Sequence, residues 1–90
     1  MFVLAGADVS FVAGKNRVVA RMSDDFTVRT GIDLTDVFSA ASERIGASWG
    51  GHPGAAGMHV SDSGSALQVL LSVLDDLLRE RGFHFVRADY

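Results

Sequence analysis

Apolar and β-branched residues dominate the start of the chain and predict strands. Residues 2–13 are rich in valine, phenylalanine and alanine and contain no proline, which favours one long or interrupted strand. Gly14, Lys15 and Asn16 follow as a turn signal, and residues 17–22 form the predicted returning strand of a hairpin. The pattern therefore indicates that a sheet begins near the N-terminus.

Two later segments repeat apolar residues at helical spacing. In the first, Asp33 stands at the expected N-cap and Gly46 at the expected end. In the second, residues 61–64 supply capping side chains and Gly82 marks the end. The apolar positions of the two predicted helices are Leu34, Val37, Phe38, Ala41 and Ile45, then Leu67, Leu70, Leu71, Leu74, Leu77 and Leu78. Each helix therefore has one apolar face that must be covered.

Two short apolar segments complete the predicted order of elements. Residues 58–60 indicate a third strand, and residues 83–86 alternate as a last strand. Helices with one apolar face each need a sheet to cover. We therefore expect an α/β fold, with two main helices packed on a mixed β-sheet of about four to five strands, as a single domain over residues 1–90.

Composition agrees with a small domain and limits its partners. The 90 residues are 48% hydrophobic and include no cysteine, so a core can form without disulfides, and a reduced, cytoplasmic setting is expected. The sequence shows neither a signal peptide pattern nor an apolar run long enough to span a bilayer. A net charge of −3 argues against bulk electrostatic binding of long nucleic acid, while local pairing with a few phosphates stays open.

The most distinctive segment is residues 50–57, which read Gly-Gly-His-Pro-Gly-Ala-Ala-Gly. This much glycine suits a loop where the backbone turns sharply or approaches a ligand closely. Amides of such a loop can converge on an anion, and His52 adds a donor that becomes cationic in mildly acidic solution. The segment is neither a nucleotide P-loop nor a dinucleotide fingerprint. The residues alone leave the ligand class open, and a helix cap with a tight turn is the structural alternative.

The order of residues within 50–57 resembles the GGHxxAAG signature of the DHH-associated domain, first subtype. This accessory domain follows the catalytic domain in DHH-family phosphoesterases. The positions that match the signature are Gly50, Gly51, His52, Ala55, Ala56 and Gly57. Upstream, residues 17–23 resemble the basic strand of that family, with Arg21 at the arginine. The resemblance covers roughly residues 9–78.

The resemblance implies a substrate-binding role. The family includes RecJ-like single-strand exonucleases, nanoRNases and cyclic dinucleotide phosphodiesterases, in which divalent metal ions, typically manganese (Mn), in the DHH domain activate water. This chain has no Asp-His-His sequence, so we expect no cofactor and no catalytic residue in it, and a DHH domain as its partner. The implied ligand is a short or single-stranded oligonucleotide or a cyclic dinucleotide. Its phosphate would be held by Arg21, Ser23 and the matched residues Gly50, Gly51, His52, Ala55, Ala56 and Gly57.

Several residues have structural alternatives. Arg21 could form a surface ion pair with Asp24, Asp25 or Asp33, of little energetic value. Trp49 could stack on a base, although such a residue more often anchors a helix end into the core. His59 and His84 have the pattern of ordinary strand histidines, and the spacing of the histidines does not indicate a metal site.

Two alternative functions stay open. One is a tRNA-binding accessory domain like that of alanyl-tRNA synthetase, although the family resemblance at His52 and Ala56-Gly57 favours the phosphoesterase branch. The other is a structural or oligomerisation domain that pairs through the leucine-rich second helix. The sequence does not distinguish DNA, RNA and cyclic dinucleotide as ligands, nor does it indicate a polarity of cleavage.

Overall fold

The computed structural model of the protein describes residues 2–5 and 9–83. These residues form five strands and three helices. In chain order they are β1 (Phe2–Ala5), β2 (Val9–Gly14), β3 (Arg17–Met22), α1 (Asp24–Thr30), α2 (Leu34–Ile45), β4 (Trp49–His52), β5 (Ala55–His59) and α3 (Ser63–Glu80). The expected last strand over residues 83–86 lies outside the described residues after Phe83.

The strands form one sheet in the order β1-β2-β3-β5-β4. Among the described strands, β5 is therefore inserted between β3 and β4, and β4 has a single neighbour. The expected α/β class, with about five strands and two long helices, is confirmed. Every described strand pair is antiparallel, so the parallel pairing that a mixed sheet requires is not found among them.

The first apolar segment is two strands rather than one. β1 and β2 fold back on each other, with Phe2 opposite Ala13 and Ala5 opposite Ser10. Alternating apolar residues on both sides of the reversal make the segment appear continuous in the sequence. The hairpin formed by β2 and β3 is as expected, with Gly14 opposite Arg17 and Asn16 in the left-handed conformation at φ 62°.

The two long helices begin and end close to the predicted residues. Asp33 accepts a hydrogen bond from Asp36 N–H at 3.1 Å while the Asp36 carboxylate accepts one from Asp33 N–H, which forms a capping box. Gly46 ends α2 in the left-handed conformation at φ 78°. Asp62 caps α3 by accepting a hydrogen bond from Ser65 N–H at 3.1 Å. Local capping chemistry therefore determines where both helices start.

The short helix α1 was not predicted. Ser23 is its N-cap and accepts a hydrogen bond from Phe26 N–H at 3.1 Å, and Asp24 and Asp25 occupy its first turn. Gly31 ends it at φ 75°. The serine, the two aspartates and the glycine eight residues later were a sequence signal for this helix, but seven residues show too little apolar periodicity to identify it.

One face of the sheet is buried under the helices. Alternate residues of β2, β3 and β5 point into the core and pack against α2 and α3: Val9, Phe11, Ala13, Val18, Ala20, Met22, Ala56 and Met58. The leucines of α3 pack in the same core. Leu70 and Leu74 are fully buried, and Leu77 is partly buried against the core. Within α3 five leucines are buried and Leu77 is half-buried, so most of the apolar stripe packs on the sheet and α2.

Candidate functional site

The glycine-rich segment is a β-hairpin and not a loop. Gly50, Gly51 and His52 lie in β4, residues 55–57 lie in β5, and Pro53 and Gly54 form a two-residue turn between them. The expectation of a loop was wrong because residues without bulky side chains can still pair as strands when a turn of suitable length joins them. The segment therefore presents its residues in a fixed register.

Two backbone hydrogen bonds show which residue pairs of β5 are hydrogen-bonded to β4 and which to β3. His59 N–H donates to Ser48 C=O at 3.3 Å on the β4 side, and Met22 N–H donates to Gly54 C=O at 3.0 Å on the β3 side. Bonded and non-bonded residue pairs alternate along antiparallel strands. The direction of every backbone N–H group in β5 follows from these two contacts.

The amides of β5 are committed to the sheet. By this alternation Ala55 and Gly57 bond toward β4, and Ala56 bonds toward β3. The expected convergence of these amides on a bound anion is therefore wrong. In β4 the same alternation turns the N–H group of Gly51 away from β5, on the side where β4 has no neighbour among the described strands.

Gly51 is required for the close approach of the two strands. Its φ is 143°, and a Cβ atom at this position would lie 2.5 Å from Ala56 Cα and 2.8 Å from Ala56 Cβ. No side chain can be accommodated at those distances. Gly50 differs, because a Cβ atom there would meet nothing within 4 Å.

The strand register brings Arg21 and His52 to the same face. Arg21 lies opposite Ala55, and Ala55 lies opposite His52. Directly opposite residues project to the same side of a sheet, so both side chains flank Ala55 on the face away from the helices. We call this surface the open face. With strands about 4.8 Å apart, the two backbones are about 10 Å apart, and both side chains are exposed.

Beside Arg21 the open face has a depression lined mainly by small and apolar residues. Arg21, Gly50, Ala55 and Gly57 line one shallow depression together with Ser10 and Val19. Gly57 is half-buried, and a Cβ atom there would lie 3.4 Å from Val19 Cγ1, so a side chain at this position would pack against Val19. The glycines and alanine thus let a ligand approach the strands beside the Arg21 guanidinium, while His52 lies on the same face but does not line this depression.

The charges of the described residues are segregated. The acidic residues described lie in the helices or in the segments that cap and join them: Asp24, Asp25, Asp33, Asp36, Glu43, Asp62, Asp75, Asp76 and Glu80. Three ion pairs among the described residues, Arg29 with Asp25, Arg44 with Asp76 and Arg79 with Asp75, also join helical residues. Among the described residues, the open face has two arginines and no acidic side chain, which favours anions although the chain is acidic overall.

Arg21 is available to a ligand. Among the described residues it makes no ion pair within 4.0 Å, so the expected alternative of a pair with Asp24, Asp25 or Asp33 is not found there. The Asp33 carboxylate is used instead at the cap of α2, where the hydrogen bond from the Thr35 hydroxyl is the main cause that lowers its pKa.

Two other predicted residues have structural roles. The Ser23 hydroxyl caps α1 by accepting a hydrogen bond from Phe26 N–H, and Ser23 does not line the depression beside Arg21. The Trp49 ring packs on Phe38, with ring centroids 6.0 Å apart at 41°, and contacts the core. This geometry agrees with the anchoring alternative and disfavours base stacking.

Two residues of the open face were missed. Arg17 precedes Arg21 by four positions in β3, and His59 lies opposite Arg17 in β5. The alternation of exposed and buried residues in β3 was a usable signal, because it places Arg17, Val19 and Arg21 on one face. His59 could not be assigned without knowing which strand pairs with β3.

Comparison with known proteins identifies the kind of domain. The family model of the DHHA1 domain matches residues 5–80. No curated protein and no solved structure matches the chain. In the described part of the chain, histidine and acidic side chains do not gather in any group of three that could hold a metal ion, and no helix there is long and apolar enough to cross a bilayer.

Proposed function

The chain belongs to the DHHA1 domain family, the DHH-associated domains of DHH-family phosphoesterases, and on this premise we propose that its open face binds a phosphate of a short single-stranded oligonucleotide. The observation that supports the proposal most directly is the row of Arg21, Ala55 and His52 across three strands. A cation and an imidazole flank a small residue there.

The chemistry of the row suits a phosphodiester. The Arg21 guanidinium can donate two parallel hydrogen bonds to phosphate oxygens, and such charge-assisted bonds are stronger than neutral ones. His52 can donate a further hydrogen bond from an imidazole N–H group. Gly50, Ala55 and Gly57 leave room for the sugar and phosphate beside the Arg21 side chain.

The contribution of this domain to hydrolysis would be binding and orientation. In the proposed arrangement, metal ions held by a DHH domain supply the activated water, and this chain holds the substrate beside them. Fixing a phosphate relative to the reacting group removes translational and rotational freedom before the reaction, which is a substantial part of catalysis. We include in this proposal that the parent enzyme is a RecJ-like exonuclease and that it acts in the cytoplasm.

The proposal is tested by titrating the 90-residue protein with a 5′-phosphorylated tetrathymidylate and following backbone amide shifts by NMR. We expect shifts at Arg21, His52, Ala55 and Gly57, and about tenfold weaker binding for Arg21→Gln. Arg44→Gln is the matched control, because it removes the same charge from a helical arginine paired with Asp76. Unchanged amide shifts along the open face at millimolar oligonucleotide would refute the proposal.

Repeating the titration with folded tRNA tests the alternative that the chain is a tRNA-binding domain. The open face is flat and carries its exposed arginines on one strand, which suits an extended strand better than a folded duplex. We therefore expect folded tRNA to bind no more tightly than a single strand of equal charge. Tight and selective tRNA binding would instead favour a tRNA-binding accessory domain like that of alanyl-tRNA synthetase.

A further inference from the structure

The open face has a second row of polar side chains at its other end. Arg17 lies opposite His59 in β5, and His59 lies opposite Ser48, to which its N–H group donates. The side chains of all three residues are exposed. Arg17, Ser48 and His59 line one depression that also includes Val19, Gly50 and Gly57. Both rows therefore combine an arginine of β3 with a histidine, but Arg17 and His59 lie on adjacent strands, whereas Ala55 separates Arg21 from His52.

The second row is electrostatically distinct from the helical layer. Among the described residues, Arg17 and His59 form no ion pair within 4.0 Å. The acidic residue that follows closest along the chain is Asp62, and its carboxylate accepts hydrogen bonds from the Ser65 N–H and hydroxyl at 3.1 and 2.9 Å. Lys15, exposed in the turn before Arg17, adds a further positive charge at this end.

The distance between the two rows along β3 corresponds to more than one nucleotide of a single strand. Arg17 and Arg21 are four residues apart in β3, which is about 13 Å at about 3.3 Å per residue. This distance exceeds the separation of neighbouring phosphates in one strand, so a strand that contacts both rows presents at least three phosphates. Between the rows lie Val19, which is 38% exposed, and the backbone of Gly50 and Gly57. That surface can contact sugars and bases without selecting among them.

We propose that Arg17 and His59 form a second phosphate-binding subsite on the open face, so that the domain binds linear oligonucleotides with at least three phosphates. The inference rests on the proposed function, because it assumes that Arg21 and His52 hold the first phosphate. The ligand runs along β3 and β5, with its middle over Val19. A cyclic dinucleotide has only two phosphates and cannot reach both rows.

The test is a length series measured by fluorescence anisotropy at several salt concentrations. The ligands are 5′-phosphorylated oligothymidylates and oligouridylates of two to six nucleotides and a cyclic dinucleotide, and the proteins are the 90-residue chain, Arg17→Gln, His59→Gln, Arg21→Gln and Arg44→Gln. We expect affinity to rise about tenfold between two and four nucleotides. Arg17→Gln removes most of this rise and lowers the salt slope by about 0.7, the value for one phosphate contact on a single strand.

The variants separate the two proposals. Arg17→Gln should leave dinucleotide affinity within about twofold of the unchanged protein, while Arg21→Gln weakens every length. Arg44→Gln should match the unchanged protein throughout. Tetranucleotide affinity and salt slope that are unaffected by both Arg17→Gln and His59→Gln would overturn the second subsite alone, as would a cyclic dinucleotide that binds as tightly as the tetranucleotide. A protein that binds none of the ligands would overturn the proposed function as well.

Discussion

The two faces of the sheet are built from the same strands and differ in almost every physical respect. In β3, Val18, Ala20 and Met22 are buried under the helices, while Arg17, Val19 and Arg21 alternate with them on the open face. The covered face gains its stability from apolar area removed from water. The open face keeps glycines, an alanine and exposed cations, which contribute little to stability and are suited to a ligand. Buried residues that stabilise the core and exposed residues that face solvent thus alternate along β3.

The largest expected contrast between the faces comes from two neighbouring apolar positions. Phe11 is 1% exposed in the core, whereas Val19 is 38% exposed on the open face. Phe11→Ala should lower the free energy of unfolding by about 3–5 kcal/mol, because it removes buried surface and leaves a cavity. Val19→Ala should change it by about 0.5 kcal/mol or less. Urea unfolding measures both values, and equal losses would contradict the two-face description.

The two glycines of β4 sharpen the comparison at adjacent positions. Gly51→Ala should destabilise the protein by at least about 1–3 kcal/mol, since φ is 143° and the new methyl group would overlap Ala56. Gly50→Ala has open space and should leave thermal stability nearly unchanged. It should nevertheless weaken oligonucleotide binding, because the methyl group would occupy the floor of the depression. Full binding by a stable Gly50→Ala variant would show that the floor is not used.

A smaller effect is expected at the cap of α2, which belongs to the covered layer. Asp33→Ala should cost about 1 kcal/mol, because Asp36 N–H loses its acceptor. Oligonucleotide affinity per folded molecule should be unchanged, since Asp33 does not line the open-face depression. Denaturant titration and anisotropy on the same sample measure the two quantities, and a loss of affinity without a loss of stability would contradict this separation.

The smallest expected effect is the pH dependence of that cap. The pKa of Asp33 in the folded protein is below its ordinary value of 3.8, mainly because of the Thr35 hydroxyl. The unfolded chain therefore binds the proton more readily, so the stabilisation is present above about pH 4 and is lost as the pH falls further. Asp33→Asn should reduce the slope of stability against pH below pH 4. An unchanged slope would remove Asp33 from the acid sensitivity of the fold.

Local sequence information was sufficient for α2 and α3, whose ends depend on Asp33, Gly46 and Asp62 and on apolar residues within a few positions. It also indicated His52 and Arg21 as phosphate contacts through the family resemblance, which stays a prediction, while the match of the DHHA1 model to residues 5–80 confirms the resemblance itself. It failed at the glycine-rich segment, because abundant glycine is compatible with both a loop and a hairpin. It failed also at α1, which is too short to show a period.

By itself, the sequence determined the residue types that alternate along β3, the caps of the long helices and the membership of the family. Only the tertiary structure decided that β5 is inserted between β3 and β4, and this pairing brings Arg21 to His52 and Arg17 to His59. Strand pairing joins residues more than 30 positions apart in the chain, and its register depends on burying one complete set of alternate side chains. Only the complete sheet buries that set of side chains, so the register cannot be determined from any single segment.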